Sequence, residues 1–330
     1  MENAIETNAL TKHFGDLVAV DSIDLKVGRG ELFGLLGPNG AGKTTTISML
    51  STILPETSGA GNVCGFDISK DQDRVRECIG IVFQDPSLDE ELTGQENLDF
   101  HGRLYGMPAD LRKKRSDEVL KLVGLSERRN TLVKEYSGGM KRRLEIARGL
   151  MHHPKVLFLD EPTLGLDPQT RRSIWDYIKE LNDRDDITII LTTHYMDEAD
   201  YLCDRVAIID KGKIIALDTP EDFKDKVGGD IIKVKANGKK GNFKSCLKKF
   251  KSIKRVIFDN SELVLSVDRG ETLIPKLVEE AKKCGAPIEA ISLRKPTLED
   301  VFLHYTGRGI REEEANSRDQ MRLRRRMRGR

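Results

Sequence analysis

Between Asn3 and Val27, apolar residues (Leu10, Phe14, Leu17-Val18-Ala19-Val20, Ile23, Leu25, Val27) are interleaved with polar ones. A spacing near two argues for strands, and Gly15-Asp16 offers a turn, so two or three strands are predicted here. Later runs are short and apolar throughout: Leu32-Phe33-Gly34-Leu35-Leu36, Ile79-Gly80-Ile81-Val82-Phe83, Val156-Leu157-Phe158-Leu159 and Ile187-Thr188-Ile189-Ile190-Leu191. They read as buried strands. Between them the spacing lengthens. Leu98, His101, Leu104 and Tyr105 recur at helical intervals, as do Leu111, Val119, Leu122 and Val123, with Gly106-Met107-Pro108 and Gly124 as stops. Gly165-Leu166-Asp167-Pro168 opens a further helix through Trp175, Tyr177 and Leu181. The pattern predicts an α/β core over residues 1–228 with a helical insertion at about 88–150.

Residues 229–306 read as a second domain. Ile231–Ala236, Phe243–Phe250, Ile253–Phe258, Glu262–Val267, Thr272–Cys284 and Ile288–Leu293 follow the order strand, helix, strand, strand, helix, strand. That is a ferredoxin-like α+β order, which a short helix at 297–304 would close. The remainder, 307–330, is a basic, disordered tail by composition, with six arginines between Arg322 and Arg330. Such a cluster is either a solvated tail or a contact for anionic lipid or nucleic acid.

The chemistry gathers where apolar runs end. Gly37-Pro38-Asn39-Gly40-Ala41-Gly42-Lys43-Thr44-Thr45 follows the first short strand and runs into Thr46-Ile47-Ser48-Met49-Leu50, which continues as a helix. Strand, glycine loop and helix make a phosphate site: glycines let backbone N–H groups close on phosphate oxygens, and the helix N-terminus adds its positive end. Lys43 reaches the β- and γ-phosphates, and Thr44 offers a hydroxyl to Mg²⁺. The strand ending Leu159-Asp160-Glu161 delivers a carboxylate for that metal, and Glu161 a second one for an attacking water. Gln84 and His194 each end a strand, where a loop or structural role competes with a catalytic one. Tyr136-Ser137-Gly138-Gly139-Met140 is another anion-binding helix start, ahead of a basic helix. Phe14 is either core or a flat platform for a nucleobase.

Composition narrows the class. At 330 residues and 38% hydrophobic content the chain can bury a core, and a net charge of +1 points to no bulk electrostatic partner. Five scattered cysteines without a CxxC pair argue for reduced thiols rather than a disulfide scaffold or zinc site. Met1–Glu6 lacks the basic and apolar segments of a signal peptide, and no apolar run approaches the ~20 residues that span a bilayer.

Taken in order, these motifs resemble the nucleotide-binding subunit of ABC transporters over residues 3–228. Residues 37–45 match the P-loop, Gln84 the Q-loop glutamine, Tyr136–Met140 the signature, Asp160 the Walker B aspartate and Glu161 the catalytic glutamate. Leu164–Asp167 matches the D-loop, and His194 the switch histidine. Phe14 falls at the adenine-stacking aromatic. Met140 stands where the family usually has Gln, and Phe14 where Tyr is commoner. The signature segment through Ala147, with Pro296–Leu303, further resembles the daunorubicin-resistance type that serves ABC-2 exporters. The resemblance implies ATP and Mg²⁺ as ligands, with Lys43, Glu161 and His194 catalytic and Thr44, Gln84 and Asp160 holding the metal. It also implies a homo- or heterodimer sandwiching ATP between the P-loop of one copy and Ser137-Gly138-Gly139 of the other, with Asp167 alongside. A separate integral membrane permease would hold the protein at the inner face of the cell membrane, cytoplasmic and peripheral, with no nucleic acid expected. The alternative is a soluble ABC ATPase acting on nucleic acid or the ribosome.

Overall fold

The computed structural model describes residues 3–227, 229–236, 247, 250, 252–259, 262–268, 270–283 and 288–307. The chain divides into two units, Met1–Leu217 and Asp218–Arg330.

In the first unit the alternating N-terminal segment forms β1 (Asn3–Phe14) and β2 (Leu17–Gly28), antiparallel and joined at Gly15-Asp16. β4 (Ser58–Val63) pairs with β1, and the two-residue β5 (Phe66–Asp67) with β4, giving a sheet in the order β2-β1-β4-β5. The short apolar runs become β3 (Leu32–Leu36), β6 (Ile79–Val82), β7 (Val156–Asp160) and β8 (Thr188–Thr193). With β9 (Arg205–Asp210) and β10 (Lys213–Asp218) they build a six-stranded sheet in the order β10-β9-β3-β8-β7-β6. Its central pairs are parallel, and β3, β7 and β8 are buried at every position, which is why those runs lack a polar face.

Helix Lys43–Leu50 puts Ile47, Met49 and Leu50 into one core with Ile5, Leu10 and Ile23 of the antiparallel sheet and Phe33, Phe158 and Ile190 of the parallel one. The phosphate-loop helix is therefore fixed on two sides by apolar contact. The helical insertion is Gly94–Leu104, Ala109–Leu122 and Gly138–Gly149. Thr93 and Glu96 close a capping box on the first of these. A short helix, Gln72–Cys78, was not evident in the sequence: it is largely polar, with Val75 and Cys78 its buried residues.

The second unit begins earlier than the expected boundary at 228. Helix Pro220–Val227, assigned from sequence to the first domain, belongs to the second, where it packs against Leu298–Thr306. β11 (Asp230–Ala236), β12 (Ile253–Asp259), β13 (Glu262–Val267) and β14 (Ile288–Arg294) pair antiparallel in the order β12-β13-β11-β14, the ferredoxin-like arrangement. Helix Gly270–Lys283 covers this sheet through Leu273, Leu277 and Ala281. The helix expected at 243–250, apart from Leu247 and Phe250, and the tail beyond Gly307 lie outside the described residues. Among the described residues no helix is long and apolar enough to cross a membrane.

Candidate nucleotide-binding site

Parallel pairing brings the chemistry together. β8 lies between β3 and β7, with Leu36 opposite Thr193 and Asp160 opposite Thr192. The residues just past those ends, Gly37, Glu161 and His194, therefore emerge at one edge, where open α/β sheets bind ligands.

At Gly37 and Gly42 the loop 37–42 has room for backbone alone. A Cβ on Gly37 would stand 2.3 Å from the Ile209 carbonyl oxygen. Gly42 has φ +108°, and a Cβ there would stand 2.6 Å from the Ala19 carbonyl oxygen. Lys43 opens the helix and folds back over the loop, its Nζ donating to the carbonyls of Gly37 (2.8 Å) and Pro38 (3.1 Å). Its ammonium is 4% exposed and sits 3.2 Å from Glu161 Oε1. A buried cation above a cradle of glycine amides is a phosphate site by construction.

On the acidic side, Asp160 is buried and its Oδ1 accepts from Thr44 Oγ1 at 3.2 Å and from the Thr192 hydroxyl. A carboxylate and a hydroxyl side by side at the phosphate cradle are hard oxygen donors, and they fit Mg²⁺. Glu161 has φ +46°, a left-handed backbone that a residue other than glycine adopts at a cost of about 1–3 kcal/mol. Its amide donates to the Thr192 carbonyl at 3.1 Å, which holds it there. The turn aims its carboxylate back at Lys43 and at His194 Nδ1, both 3.2 Å from Oε1. Burial pushes the Glu161 pKa up, but His194 and Lys43 together outweigh burial and hold it below the usual carboxylate value.

The structure thus joins Lys43, Thr44, Asp160, Glu161 and His194 with the loop Gly37–Gly42 in one bonded cluster. The other expected site residues stand apart from it. Gln84 is exposed just past β6, one strand beyond Asp160. Phe14 ends β1 with 48% exposure, and Lys12 Nζ lies 5.3 Å from its ring centroid. Ser137 caps its own helix by accepting from the Met140 amide at 3.3 Å. Asp167 does the same for Pro168–Asp185, accepting from the Thr170 amide at 3.0 Å. Gly138 and Gly139 open the first of these helices, and a Cβ on Gly139 would stand 2.4 Å from Thr170 Cγ2, so close helix packing demands glycine there whatever else it does.

Three residues were missed from the sequence. Glu198 is fully buried, its Oε1 accepting from Thr163 Oγ1 (2.7 Å) and Trp175 Nε1 (2.8 Å), and burial pushes its pKa up. It ties the turn after Glu161 to the helix after His194. Arg142 and Glu145 are buried as well, on the helix that the sequence shows only as basic. A charged residue in a helical stretch gives no sequence signal of burial.

Comparison with known proteins agrees with this geometry. The ABC transporter family profile matches residues 20–164, and a profile described as ATP-binding protein DrrA1-3-like, C-terminal domain, matches 219–306. The chain is 40% identical to the linearmycin resistance ATP-binding protein LnrL of Bacillus subtilis, covering 93% of this chain and 100% of that protein. It is 41% identical to the daunorubicin resistance ATP-binding protein DrrA3 of Streptomyces coeruleorubidus, over 95% and 99%. Nod factor export ATP-binding protein I of Ralstonia nicotianae is 37% identical over 93% and 95%. Among solved structures, CbiO1 of Clostridium perfringens, part of the ABC transporter complex CbiONQ, superposes with a TM-score of 0.64 at 33% identity, covering 68% of this chain and 92% of that one. The dimeric, post-hydrolysis ATP-binding cassette MJ0796 bound to ADP and Pi gives 0.59 at 28% identity, covering 65% and 98%. With a phosphate cradle, a metal-competent aspartate and a buried glutamate paired with Lys43 and His194 on one sheet edge, and relatives matched almost end to end, the chain belongs to the ABC transporter family as an ATP-binding, ATP-hydrolysing subunit with a DrrA-type C-terminal domain.

Proposed function

We propose that two copies of this chain, or this chain and a homologous one, close head to tail around two Mg-ATP and so drive a separate membrane permease of the ABC-2 exporter type. The observation that carries the reading is the convergence of Lys43, Asp160, Glu161 and His194 at the ends of β3, β7 and β8. Catalysis of phosphoryl transfer to water is mostly positioning and charge stabilisation, and these residues supply both. Lys43 and the loop amides of Gly37–Gly42, with Thr44 and Thr45, hold the phosphates. Phe14 stacks on the base, worth ~1–3 kcal/mol. Mg²⁺, when bound, neutralises charge on the phosphoryl oxygens, and Thr44, Asp160 and Gln84 would hold it. Glu161 orients the attacking water. Its carboxylate, held by Lys43 and His194, is placed to align and polarise that water. His194 steadies that carboxylate and faces the γ-phosphate. Ser137, Gly138 and Gly139, with Asp167 nearby, close on the nucleotide of the opposite copy.

The relatives are named for linearmycin, daunorubicin and Nod factor, cargoes that differ in chemistry, at similar identity. That spread of names is consistent with cargo choice by the permease, with this chain working at the inner face of the membrane through it. The same names speak against a soluble ATPase acting on nucleic acid or the ribosome.

The test is Glu161→Gln, which keeps shape and removes the charge that aligns water. ATP hydrolysis should fall by ~10²–10⁴-fold while Mg-ATP still binds. On size-exclusion chromatography with Mg-ATP the mutant should run as a dimer. A mutant that stays monomeric and hydrolyses ATP at the wild-type rate would overturn both the role of Glu161 and the sandwich.

A further inference from the structure

One turn past Ser137-Gly138-Gly139, the helix Gly138–Gly149 carries a charged pair that the nucleotide cluster does not use. Arg142 and Glu145 are 7% and 3% exposed, and Arg142 Nη1 lies 2.8 Å from Glu145 Oε2. Burying such a pair seldom improves stability over an apolar pair of equal volume, because both ions lose their hydration. The pair therefore calls for a reason in the bonds it makes elsewhere.

Those bonds go to backbone on two other elements. Arg142 Nε donates to the Pro162 carbonyl at 2.7 Å and Nη2 to the Asp160 carbonyl at 3.1 Å, so one guanidinium grips the chain on both sides of Glu161. Nη1 also donates to the Phe83 carbonyl at 2.6 Å, the residue before Gln84. Glu145 Oε1 accepts from the Ser87 amide at 2.9 Å, and Arg148 Nη1, one turn on, donates to the Ser87 carbonyl at 2.5 Å. The segment around Gln84 is thus clamped at both ends to the same helix that holds the flanks of Glu161.

We infer that Arg142 is a positioning residue that fixes the Asp160-Glu161-Pro162 turn and the start of the Gln84 loop to the signature helix, so that movement of this helix is felt at the subunit's own Glu161. Glu161 sits in a left-handed backbone, and the orientation of its flanking peptides sets where its carboxylate points. A planar guanidinium fork holds two peptide planes at a fixed angle, which the single rotating ammonium of lysine cannot do. Resting on the head-to-tail dimer proposed above, the consequence is a link between the two ATP sites. Ser137, Gly138 and Gly139 touch the opposite copy's nucleotide, and four residues on, the same rigid helix grips the catalytic turn of its own site.

The test compares Arg142→Lys and Arg142→Met with the wild type. In both, kcat should fall by about 10²-fold, the scale of an ångström-sized misplacement, with KM for ATP nearly unchanged and the lysine variant still folded. In the Glu161→Gln background, Arg142→Lys should still give the Mg-ATP dimer, because Ser137 and the two glycines are intact. The Hill coefficient for ATP should be above one in the wild type and drop to one in Arg142→Lys. Wild-type kcat in the lysine variant overturns the inference. So does loss of the trapped dimer together with turnover, since that would make Arg142 a mere support of the signature face. A coefficient of one in the wild type, or one unchanged in Arg142→Lys, overturns the link between sites. If Arg142→Met fails to fold, the lysine variant decides alone. If Glu161→Gln by itself never dimerises, the sandwich reading falls, while the kcat comparison still decides the positioning role.

Discussion

The two units of this protein treat buried charge differently. In the first, besides Lys12 on β1, the side chains of Lys43, Arg142, Glu145, Asp160, Glu161 and Glu198 are all less than a tenth exposed. In the second, the buried charged side chain among the described residues is Asp300, and its role is local. It accepts from Arg294 Nη2 at 2.8 Å and from the Thr297 amide at 2.8 Å, closing the capping box of helix Leu298–Thr306. Apolar residues can fill a core as well as ion pairs do, so six buried ionisable side chains clustered near one sheet edge indicate work other than folding. The second unit, with an apolar core of Ile232, Leu265, Leu273 and Leu277, shows what the same chain builds where no such work is needed.

Removing one ion from the first unit should have the largest effect. Lys43→Ala takes away the cation aimed at the phosphates and leaves Glu161 buried with His194 alone beside it. ATP binding should be abolished, and nucleotide titration of the purified variant reads it directly. An unchanged dissociation constant would mean that the buried charge there does not serve phosphate, and the contrast between the units would lose its meaning.

The same contrast explains what was legible in the sequence. Chemistry at strand ends was readable because a buried strand must be apolar, so the first polar residues after it stand out: Gly37, Asp160, Glu161 and His194 each follow such a run. The ferredoxin-like order was readable because its strands and second helix have clean periods. Arg142, Glu145 and Glu198 were not, because helices carry charge on their wet faces as a rule. Arg142 becomes buried through carbonyls 18 and 20 residues away, a tertiary fact with no local trace. The boundary was misplaced for a related reason. Phe223 and Val227 give helix Pro220–Val227 an apolar face, but the pattern does not say which partner that face will find, and it finds Leu298–Thr306.

Glu198 offers an intermediate effect, visible in stability more than in binding. Burial raises its pKa, ahead of the hydrogen bonds from Thr193, Thr163 and Trp175 that lower it. For an acid whose folded pKa is raised, the folded state keeps a proton that the unfolded chain has already lost. Its stabilising contribution is therefore full below the unfolded value and declines as pH rises toward the folded one. Glu198→Gln keeps an acceptor for Thr163 and Trp175 and abolishes that titration. Its melting temperature should match the wild type at acidic pH and gain on it as pH rises. Melts that stay parallel from pH 4 to 8 would show that the carboxylate is not held in a charge-averse site, and one of the six side chains would drop out of the comparison.

The smallest effect on ATP turnover should come from the second unit's own buried ion. Asp300→Ala removes the carboxylate that Arg294 grips and that caps the helix through Thr297. Arg294 is 29% exposed and can turn to water, so the loss is that of a charged hydrogen bond and a helix cap, about 2 kcal/mol, rather than that of a stranded buried charge. Two units with separate cores should unfold in separable steps, because cooperativity follows the core. Chemical denaturation of the variant should therefore lower the midpoint of the transition assigned to residues 218–307 and leave the other in place, with kcat and KM for ATP at wild-type values. Aromatic probes can assign the transitions, since Trp175, the chain's single tryptophan, lies in the first unit and reports on it alone. Were kcat to fall with Asp300→Ala while the tryptophan transition stayed put, the second unit would be acting on the nucleotide site, and Asp300 would belong with the six side chains of the first unit.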